Sequence, residues 1–514
     1  MDRIYIPSVR EILDNSAEKY GDSAFLKYVE NGQIIEKSFI KVREDTLAFC
    51  RFLRSFSNKK KHIALIGKTT YEYLIFATAV LISGDVFVPF APEISGEEAE
   101  KLFERADIDF IAYDSSFADK IEAIKTAESE KYKFIDITKK EKFDEVLNKY
   151  SSDSEYKALS DYEVDKDALA LIIFTSGTTG VRKGVMHSTR SFVANIMHTP
   201  YENYFENGKN VLSVLPMNHV FCFSGDYLNN LKDGVCVALN GGLRELSANL
   251  KRFEPSAIRV VPMIAETMLK MIKSIQAKNP GISPREAAER VYGKNIKWLM
   301  SGGAYLPPEL SEEYSKYGIC LRQGYGMTEA GCRITVPELS CSLDSVGKVI
   351  DICDIRISGG EIQVKSPSLM MGYYKMPDET KEMFTIDGWL KTGDIGTVSE
   401  SRELFVTGRL KNLIILSNGE NVSPEAIENK FRNYEIISEI IVSAKSDRIV
   451  AEIYPNCDYC EANGIDDPYD NILLIVEELN STAKPSHIIS DIIIRKEPFE
   501  RTTSGKIKRK VTVI

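Results

Sequence analysis

The sequence has no long apolar segment and no excess of basic residues, and each absence excludes a class of protein. The most apolar stretch, residues 74–84, is about half the length that a membrane-spanning helix needs, so we expect a buried helix and no transmembrane segment. Lys and Arg number 65 against 75 Asp and Glu, a formal net charge of −10. The chain therefore lacks the overall positive field that nucleic acid would require of a partner.

A pattern of paired cysteines is also missing. The nine cysteines are odd in number and scattered, and the spacing CxxC occurs once, at Cys457 and Cys460. The first residues have the pattern of a polar amphipathic helix and not of a secretory leader, so we expect a reduced protein of the cytoplasm. Because no second CxxC and no histidine at ligand spacing accompany the first, a cysteine-bound metal is not expected.

Short apolar segments that alternate with helical patterns dominate the chain of 514 residues. The segments HIALIG, VFVPF, ALALII and IRVVP are typical of buried parallel strands, and helices between them predict βαβ units. From residue 345 the strands become short and alternating, with glycine turns. We predict an α/β fold with a large N-terminal domain of stacked α/β sheets at 1–409, including a small β-barrel at about 345–409, and a small mobile α+β domain at 410–514.

The strongest local signal is the segment FTSGTTGVRKG, residues 174–184, directly after the strand ALALII. Its glycines allow a close approach of the backbone, so that N–H and hydroxyl groups can surround phosphate oxygens, and Lys183 adds a positive charge. The segment is not a Walker A loop, because Lys183 is followed by Gly184 and not by Ser or Thr. The alternative, a flexible linker, is disfavoured by the preceding strand.

Six further segments complete a series that resembles the adenylate-forming superfamily of acyl-CoA synthetases, peptide-synthetase adenylation domains and luciferases. The sequences of these motifs are most like those of fatty acyl-CoA synthetases, and the resemblance covers essentially the whole chain. In order, the segments are LPMNHVF (215–221), SGGAYL (301–306), QGYGMTE (323–329), GWLKTGD (388–394), GRLKNLIILSNGENVSPEAIE (408–428) and TTSGKIKR (502–509).

The resemblance implies that a carboxylate attacks the α-phosphate of ATP and that pyrophosphate leaves, which requires mainly positioning and charge neutralisation. Lys506, Glu329, Thr175 and Lys183 would be the catalytic residues, and Glu329 the ligand of Mg²⁺. Tyr325 would stack on adenine, and Asp394 would accept both ribose hydroxyls. The resemblance assigns to ATP and AMP the residues Thr175, Ser176, Gly177, Thr178, Thr179, Gly180, Lys183, Gly302, Gly303, Ala304, Gly324, Tyr325, Gly326, Met327, Thr328, Asp394, Arg409 and Lys506.

The same resemblance implies a second step, in which the thiol of CoA takes the acyl group after the C-terminal domain rotates about a hinge at Lys411. The turn Gly419, Glu420 and Asn421 would line the thiol tunnel. The acyl group would lie against His219, Phe221, Gly302 and Gly326. The family often has an aromatic residue or histidine where this chain has Asn218, so the geometry of the entrance is expected to differ locally.

The predicted activity is that of an AMP-forming acyl-CoA synthetase with ATP, Mg²⁺ and CoA, acting on a medium- or long-chain fatty acid. The alternatives are an aryl or amino acid as donor, an acyl-carrier protein as acceptor, and a non-catalytic member that binds nucleotide or acyl groups. An amino acid would need a carboxylate for its ammonium group, for which Asp226 is the nearest candidate. The presence of Glu329, Asp394, Arg409 and Lys506 favours an active enzyme.

Overall fold

The computed structural model describes residues 5–57, 59–127, 131–152, 162–175, 181–199, 210–416, 420–432, 434–445, 448–500, 507 and 509. The chain divides into two units. The first consists of Met1–Asp354, Val364–Leu390 and Ser401–Glu403, and the second of Ile355–Gln363, Lys391–Glu400 and Leu404–Ile514. The domain boundary between residues 409 and 410 stays a prediction.

The strands of the described residues are numbered in chain order. They are β1 (Ala24–Glu30), β2 (Gln33–Ser38), β3 (His62–Ile66), β4 (Val86–Phe90), β5 (Phe110–Tyr113), β6 (Lys133–Asp136), β7 (Leu169–Thr175), β8 (Lys183–Ser188), β9 (Asn210–Ser213), β10 (Cys236–Leu239), β11 (Ala257–Val260), β12 (Trp298–Ser301), β13 (Cys320–Gln323), β14 (Thr335–Val336), β15 (Lys348–Val349), β16 (Asp354–Ser358), β17 (Glu361–Lys365), β18 (Gly372–Tyr373), β19 (Leu390–Val398), β20 (Leu404–Arg409), β21 (Ile414–Ile415), β22 (Asn421–Val422), β23 (Ile437–Lys445), β24 (Arg448–Pro455) and β25 (Ile489–Ile494).

The α-helices are numbered in the same way. They are α1 (Val9–Tyr20), α2 (Phe39–Phe56), α3 (Tyr71–Ser83), α4 (Gly96–Arg105), α5 (Ala118–Ala127), α6 (Lys140–Ser152), α7 (Thr189–Met197), α8 (Val220–Cys222), α9 (Asn230–Asp233), α10 (Leu246–Phe253), α11 (Pro262–Lys278), α12 (Pro284–Tyr292), α13 (Pro308–Ser315), α14 (Pro377–Met383), α15 (Pro424–Glu428), α16 (Cys457–Ala462) and α17 (Tyr469–Ser481), with a π-helical turn at Phe223–Asn229 between α8 and α9.

Two seven-stranded sheets form the first unit. One has the order β18-β8-β7-β4-β3-β5-β6, parallel except where β7, β8 and β18 pair antiparallel. The other has the order β13-β12-β11-β9-β10-β1-β2, parallel except for the hairpin of β1 and β2. Mixed sheets with helices between consecutive strands confirm the predicted α/β class.

Helix α3 shows why the longest apolar segment of the sequence is internal. The Thr70 side chain accepts a hydrogen bond from the backbone N–H of Tyr73 at its start, and Gly84 ends it with φ +83°, a conformation that glycine adopts without strain. Every residue of α3 except Glu72 is buried, and β4 follows directly. The predicted buried helix is therefore present. None of the helices in the described ranges combines the length and hydropathy that crossing a membrane requires.

The second unit has its own sheets and its own core. Strands β16, β17, β19 and β20 form a four-stranded sheet, β21 and β22 a short hairpin, and β23–β25 a three-stranded sheet. Side chains from α15, α17 and the three-stranded sheet share one apolar cluster, which includes Ile427, Val442, Ile453, Ile472 and Ile492. A cluster of this size lets the unit bury apolar area independently of the first.

Candidate active site

The two strands that flank the predicted phosphate loop pair with each other. Thr175 ends β7, Lys183 begins β8, and the two residues are partners in the antiparallel register. The Thr175 hydroxyl lies 3.5 Å from the carbonyl oxygen of Lys183. The two strands are thereby joined at the carboxyl end of β7, where α/β folds place ligands. Residues 176–180 of this loop, predicted to bind ATP, lie outside the described residues.

Glu329 is fixed by its backbone and by its side chain. It lies in a 3₁₀ turn, Thr328–Ala330, and its carbonyl oxygen accepts a hydrogen bond of 2.8 Å from the Met370 N–H. Its carboxylate accepts a hydrogen bond of 2.8 Å from the Tyr373 hydroxyl on β18. The turn that carries the predicted metal ligand is therefore held by the strand region next to β8.

Tyr373 also contacts Lys183, which brings two predicted site residues to one side chain. The Lys183 ammonium lies 4.8 Å from the centroid of the Tyr373 ring, within the range of a cation–π interaction. Tyr373 pairs with Val185 across β18 and β8, while Glu329 is 44 residues away along the chain. Lys183 and Glu329, which the resemblance assigns to one site, thus contact the same side chain, and Tyr373 was not among the predicted site residues. Its only sequence signal is the spelling GYYK, residues 372–375.

His187 is a second residue that the sequence analysis did not single out. It is fully buried on β8, with Nε2 2.7 Å from the Thr328 carbonyl oxygen and Nδ1 3.1 Å from the Ser191 hydroxyl. Burial lowers the pKa of His187 to about 4, so the ring is neutral near pH 7. Nε2–H therefore donates to the carbonyl and Nδ1 accepts from the hydroxyl, which ties the turn of Glu329 to β8.

The oxygen groups around Glu329 fit Mg²⁺. The ion prefers oxygen ligands and in ATP sites is held by one or two carboxylates together with phosphates and water. The Glu329 carboxylate, partly exposed beside Thr328, offers this kind of ligand. The described residues contain no cluster of three or more His, Cys, Asp and Glu that would form a cage made by the protein alone. Such a site suits a metal ion that would be bound by this carboxylate and by the phosphate oxygens of ATP together.

The residues predicted to surround adenine lie at the carboxyl ends of β12 and β13. The Gly302 N–H donates to the carbonyl of Val260 on β11, and the Gly324 N–H donates to that of Ser301 on β12. Gly303 has φ +79°, and it and Ala304 are exposed. Met327 is half-buried beside this turn. Backbone hydrogen bonds therefore hold the residues at the ends of these two strands, and the turn at Gly303 and Ala304 is open to solvent.

Tyr325 and Gly326 are held by the segment that follows Glu329. The Tyr325 N–H donates to the Thr335 hydroxyl at 2.9 Å, and its carbonyl accepts from the N–H groups of Ile334 and Thr335. A Cβ at Gly326 would lie 1.8 Å from the carbonyl oxygen of Cys332, so no other residue fits there without moving the backbone. The tyrosine of the predicted stacking position thus stands on a rigid turn.

Of the residues predicted to contact the acyl group, Phe221 and Gly302 lie together. A Cβ at Gly302 would lie 2.9 Å from Cζ of Phe221, and the ring is half-buried. His219 is exposed at the start of α8. Met263 on α11 is 67% exposed and faces away from the core.

A buried ionic cluster lies one turn beyond Phe221. Asp226, in the π-helical turn, is hydrogen-bonded to Arg259 on β11, and both side chains are almost fully buried. Arg333 is also buried and donates to the Thr199 hydroxyl at 3.0 Å. A Cβ at Gly225 would lie 2.8 Å from Nε of Arg259, which explains the glycine. Burial raises the pKa of Asp226, and the adjacent guanidinium of Arg259 opposes that rise.

In the second unit, the two residues predicted to contact ribose form an ion pair. Asp394 on β19 and Arg409 at the end of β20 are cross-strand partners, with Arg409 Nε 3.0 Å from the Asp394 carboxylate. The Asp394 side chain is buried, whereas half of the Arg409 side chain is exposed. The Asp394 N–H donates to the Thr392 hydroxyl at 3.1 Å. The pairing orients the carboxylate before any ligand binds.

The predicted hinge and thiol-tunnel residues lie close together along the second unit. Lys411 is in a 3₁₀ turn, Leu410–Asn412, directly after β20. Glu420 accepts a hydrogen bond of 3.0 Å from the Leu416 N–H, and Asn421 begins β22. Gly419 and Lys506 lie outside the described residues. Of the tail that contains Lys506, Arg509 is described and forms ion pairs with Glu425 and Glu428 of α15.

Two family descriptions match this chain. "AMP-binding enzyme" matches residues 13–374, and "AMP-binding enzyme C-terminal domain" matches residues 411–513. The chain belongs to the AMP-binding enzyme family. The predicted membership of the adenylate-forming superfamily is therefore confirmed. This is a family of adenylate-forming ligases that use ATP to join an acid to the thiol of CoA or of an acyl-carrier protein.

Relatives of this AMP-binding enzyme are matched over most of their length. A chloroplastic long-chain-fatty-acid–[acyl-carrier-protein] ligase of Arabidopsis thaliana is 25% identical, over 98% of this chain and 85% of the relative. Long chain acyl-CoA synthetase 1 of the same plant is also 25% identical, over 96% of this chain and 88% of the relative. The structure of o-succinylbenzoate CoA synthetase from Bacillus subtilis with its acyl-adenylate covers 98% of both chains with a TM-score of 0.77 at 22% identity, a likeness of fold.

Proposed function

We propose that the chain is an ATP-dependent carboxylate–CoA ligase that forms an acyl-AMP and then an acyl-CoA. In the first step a carboxylate oxygen attacks the α-phosphorus of ATP and pyrophosphate leaves. In the second step the CoA sulfur attacks the acyl carbon, its proton is lost, and AMP leaves. The observation that carries the proposal is the convergence of Lys183 and Glu329 on Tyr373 beside the base of the phosphate loop.

In the first step both reactants are anions, so the site must supply positive charge and fixed geometry. Lys183 and the loop hydroxyls that begin with Thr175 would bind the β- and γ-phosphates. Mg²⁺, when bound, would neutralise phosphate charge, and Glu329 is its proposed ligand. Lys506 would neutralise the charge that develops between the carboxylate and the α-phosphate, and a donor at such a position is worth about 10²–10³ in rate.

The second unit would contribute differently to the two steps. Asp394 would accept the ribose hydroxyls, oriented by its ion pair with Arg409. Lys411, directly after β20, would be the hinge about which the small domain 410–514 turns between adenylation and thiol capture. In the second step the turn that contains Glu420 and Asn421 would line the path of the CoA thiol. CoA is the proposed acceptor and an acyl-carrier protein the alternative, because one relative is named for each.

The proposed donor is a medium- or long-chain fatty acid, with an aryl acid as the alternative. The two Arabidopsis relatives described above are named for long-chain acids, and a rice relative that also covers 98% of the chain is named a 4-coumarate–CoA ligase-like protein. An amino acid is disfavoured by the structure, because Asp226 is already paired with Arg259 and shielded from solvent. A substrate ammonium would have to displace the guanidinium.

The proposed location of the protein is the cytoplasm. The nine cysteines, all in described segments, are free thiols, as expected in a reducing compartment.

The test is ATP–pyrophosphate exchange with the full chain across a panel of acids from acetate to stearate, with aryl acids and amino acids included. Each buried methylene is worth about 0.8 kcal/mol, so kcat/KM should rise up to a few-fold per carbon until the site is full. Thioester formation is then measured with CoA and with acyl-carrier protein. Best exchange with an aryl or amino acid would refute the donor, and transfer to carrier protein alone would refute the acceptor. Absence of exchange with every acid would refute the activity.

A further inference from the structure

Tyr373 stands between two groups of opposite charge. It is 4% exposed, its hydroxyl donates to Glu329 at 2.8 Å, and its ring faces the Lys183 ammonium at 4.8 Å. Its place is set by β18, which pairs antiparallel with β8 so that Gly372 and Tyr373 lie opposite Met186 and Val185. The side chain is therefore held by the same strand that Lys183 begins.

Within the described part of the chain, Lys183 and Glu329 form no ion pair with each other. Both are half-buried and both contact Tyr373, and opposite charges in a partly desolvated site attract strongly. If they paired directly, the lysine would no longer be available to bind the phosphates, and the carboxylate would no longer be available to bind the metal. A neutral side chain that satisfies each charge separately would prevent that collapse. Tyr373 has both features, a hydroxyl for the carboxylate and a π face for the cation.

We propose that Tyr373 is a positioning residue of the ATP site, which keeps Lys183 and Glu329 apart and oriented toward the triphosphate. The hydrogen bond from the hydroxyl orients the Glu329 carboxylate toward the metal, and the cation–π contact with the ring orients the Lys183 ammonium toward the phosphates. This role rests on the proposed function.

Two substitutions separate the two contacts, and the next residue supplies a matched control. Tyr373→Phe removes the hydroxyl and keeps the ring, whereas Tyr373→Leu removes both. The control is Tyr374→Phe, because the Tyr374 hydroxyl donates to a different carboxylate, Asp107, at 2.7 Å. Binding of ATP to the full chain is measured by calorimetry, once with excess Mg²⁺ and once with a chelator. Pyrophosphate exchange is measured in parallel as a function of Mg²⁺ concentration.

Tyr373→Phe should weaken the binding of Mg·ATP by about ten-fold or more, the effect of losing a hydrogen bond to a charged group, and leave metal-free ATP binding unchanged. It should also raise the Mg²⁺ concentration for half-maximal exchange. Tyr373→Leu should weaken metal-free ATP binding as well, because Lys183 turns to the carboxylate. Adding Glu329→Gln to Tyr373→Leu should restore metal-free binding, since the competing charge is gone.

The proposal is overturned if Tyr373→Phe behaves like Tyr374→Phe, or if it weakens ATP binding equally with and without Mg²⁺, as a merely structural residue would. It is also overturned if Glu329→Gln fails to restore binding in the Tyr373→Leu chain. These binding results are independent of the donor acid. Loss of exchange with every acid in the wild-type chain would refute the proposed function, while the comparison of ATP binding would still decide the role of Tyr373.

Discussion

Removing one member of the buried Asp226–Arg259 pair should destabilise the first unit far more than removing both. Arg259→Met leaves the buried carboxylate without the guanidinium to which it is hydrogen-bonded, and loss of one partner of such a pair costs about 3–5 kcal/mol. Asp226→Asn leaves the guanidinium buried and should cost a similar amount. The double variant removes both charges at nearly constant volume, so its free energy of unfolding should return close to that of the wild type.

The assay can report on the first unit alone. The chain has two tryptophans, Trp298 and Trp389, and both belong to the first unit. Trp298 pairs with Ala257 on β11, two residues from Arg259. Tryptophan fluorescence during urea denaturation therefore follows the unit that contains the ion pair, and the shift in midpoint at constant slope gives the loss of stability.

An exposed ion pair provides the control. Arg190 bonds Asp167 in a bidentate way, but both side chains are largely in solvent. Arg190→Met should leave the midpoint almost unchanged, because exposed pairs contribute little. If Arg259→Met is no more destabilising than this control, or if the double variant of Asp226 and Arg259 is worse than either single one, the reasoning from buried charge is refuted.

Four further predictions each concern one residue. The pKa of His187 falls from its ordinary value of 6.5 to about 4 in the folded chain, so between these pH values the unfolded chain binds one more proton than the folded chain. The free energy of unfolding of the protein should therefore fall by about 1.4 kcal/mol per pH unit from pH ~6.5 down to ~4. The urea midpoints of His187→Gln should lack this pH dependence. Gly302→Ala places a methyl group against Phe221 and should lower kcat/KM for the longest acids first; unchanged chain-length profiles would contradict this. Lys506→Ala should abolish acyl-AMP formation and spare thioester formation from supplied acyl-AMP. Lys411→Pro should do the opposite, because proline fixes φ at the hinge. The two half-reactions are assayed separately, and equal losses in both would reject the assignment.

The α/β class and many of the individual strands could be predicted because their signals are local. The segment HIALIG became β3 and VFVPF became β4, and the helix at Tyr71–Ser83 begins and ends where its capping residues predict. The assignment of Lys183 and Glu329 to one site could be made from the resemblance of their motifs to those of the family. Their exact neighbour could not be predicted, because Tyr373 reaches both only through the antiparallel pairing of β18 with β8, and such pairing leaves no trace in sequence spacing.

The interior around the acyl site was the least predictable region, for a physical reason. In the segment after Phe221, Asp226 is buried against Arg259, a residue on a distant strand. A buried charge is tolerated only with a partner, and the partner is chosen by tertiary structure. Met263 shows the same limit, since its helix turns it into solvent although its sequence neighbours are buried.

The close approach at Gly326 changes how related sequences should be interpreted. Since a Cβ there would collide with the Cys332 carbonyl oxygen, this glycine is required for the chain to fold, whether or not a nucleotide binds. A relative that has lost catalysis would therefore still retain the glycine, and the spelling GYG cannot distinguish working enzymes from inactive descendants.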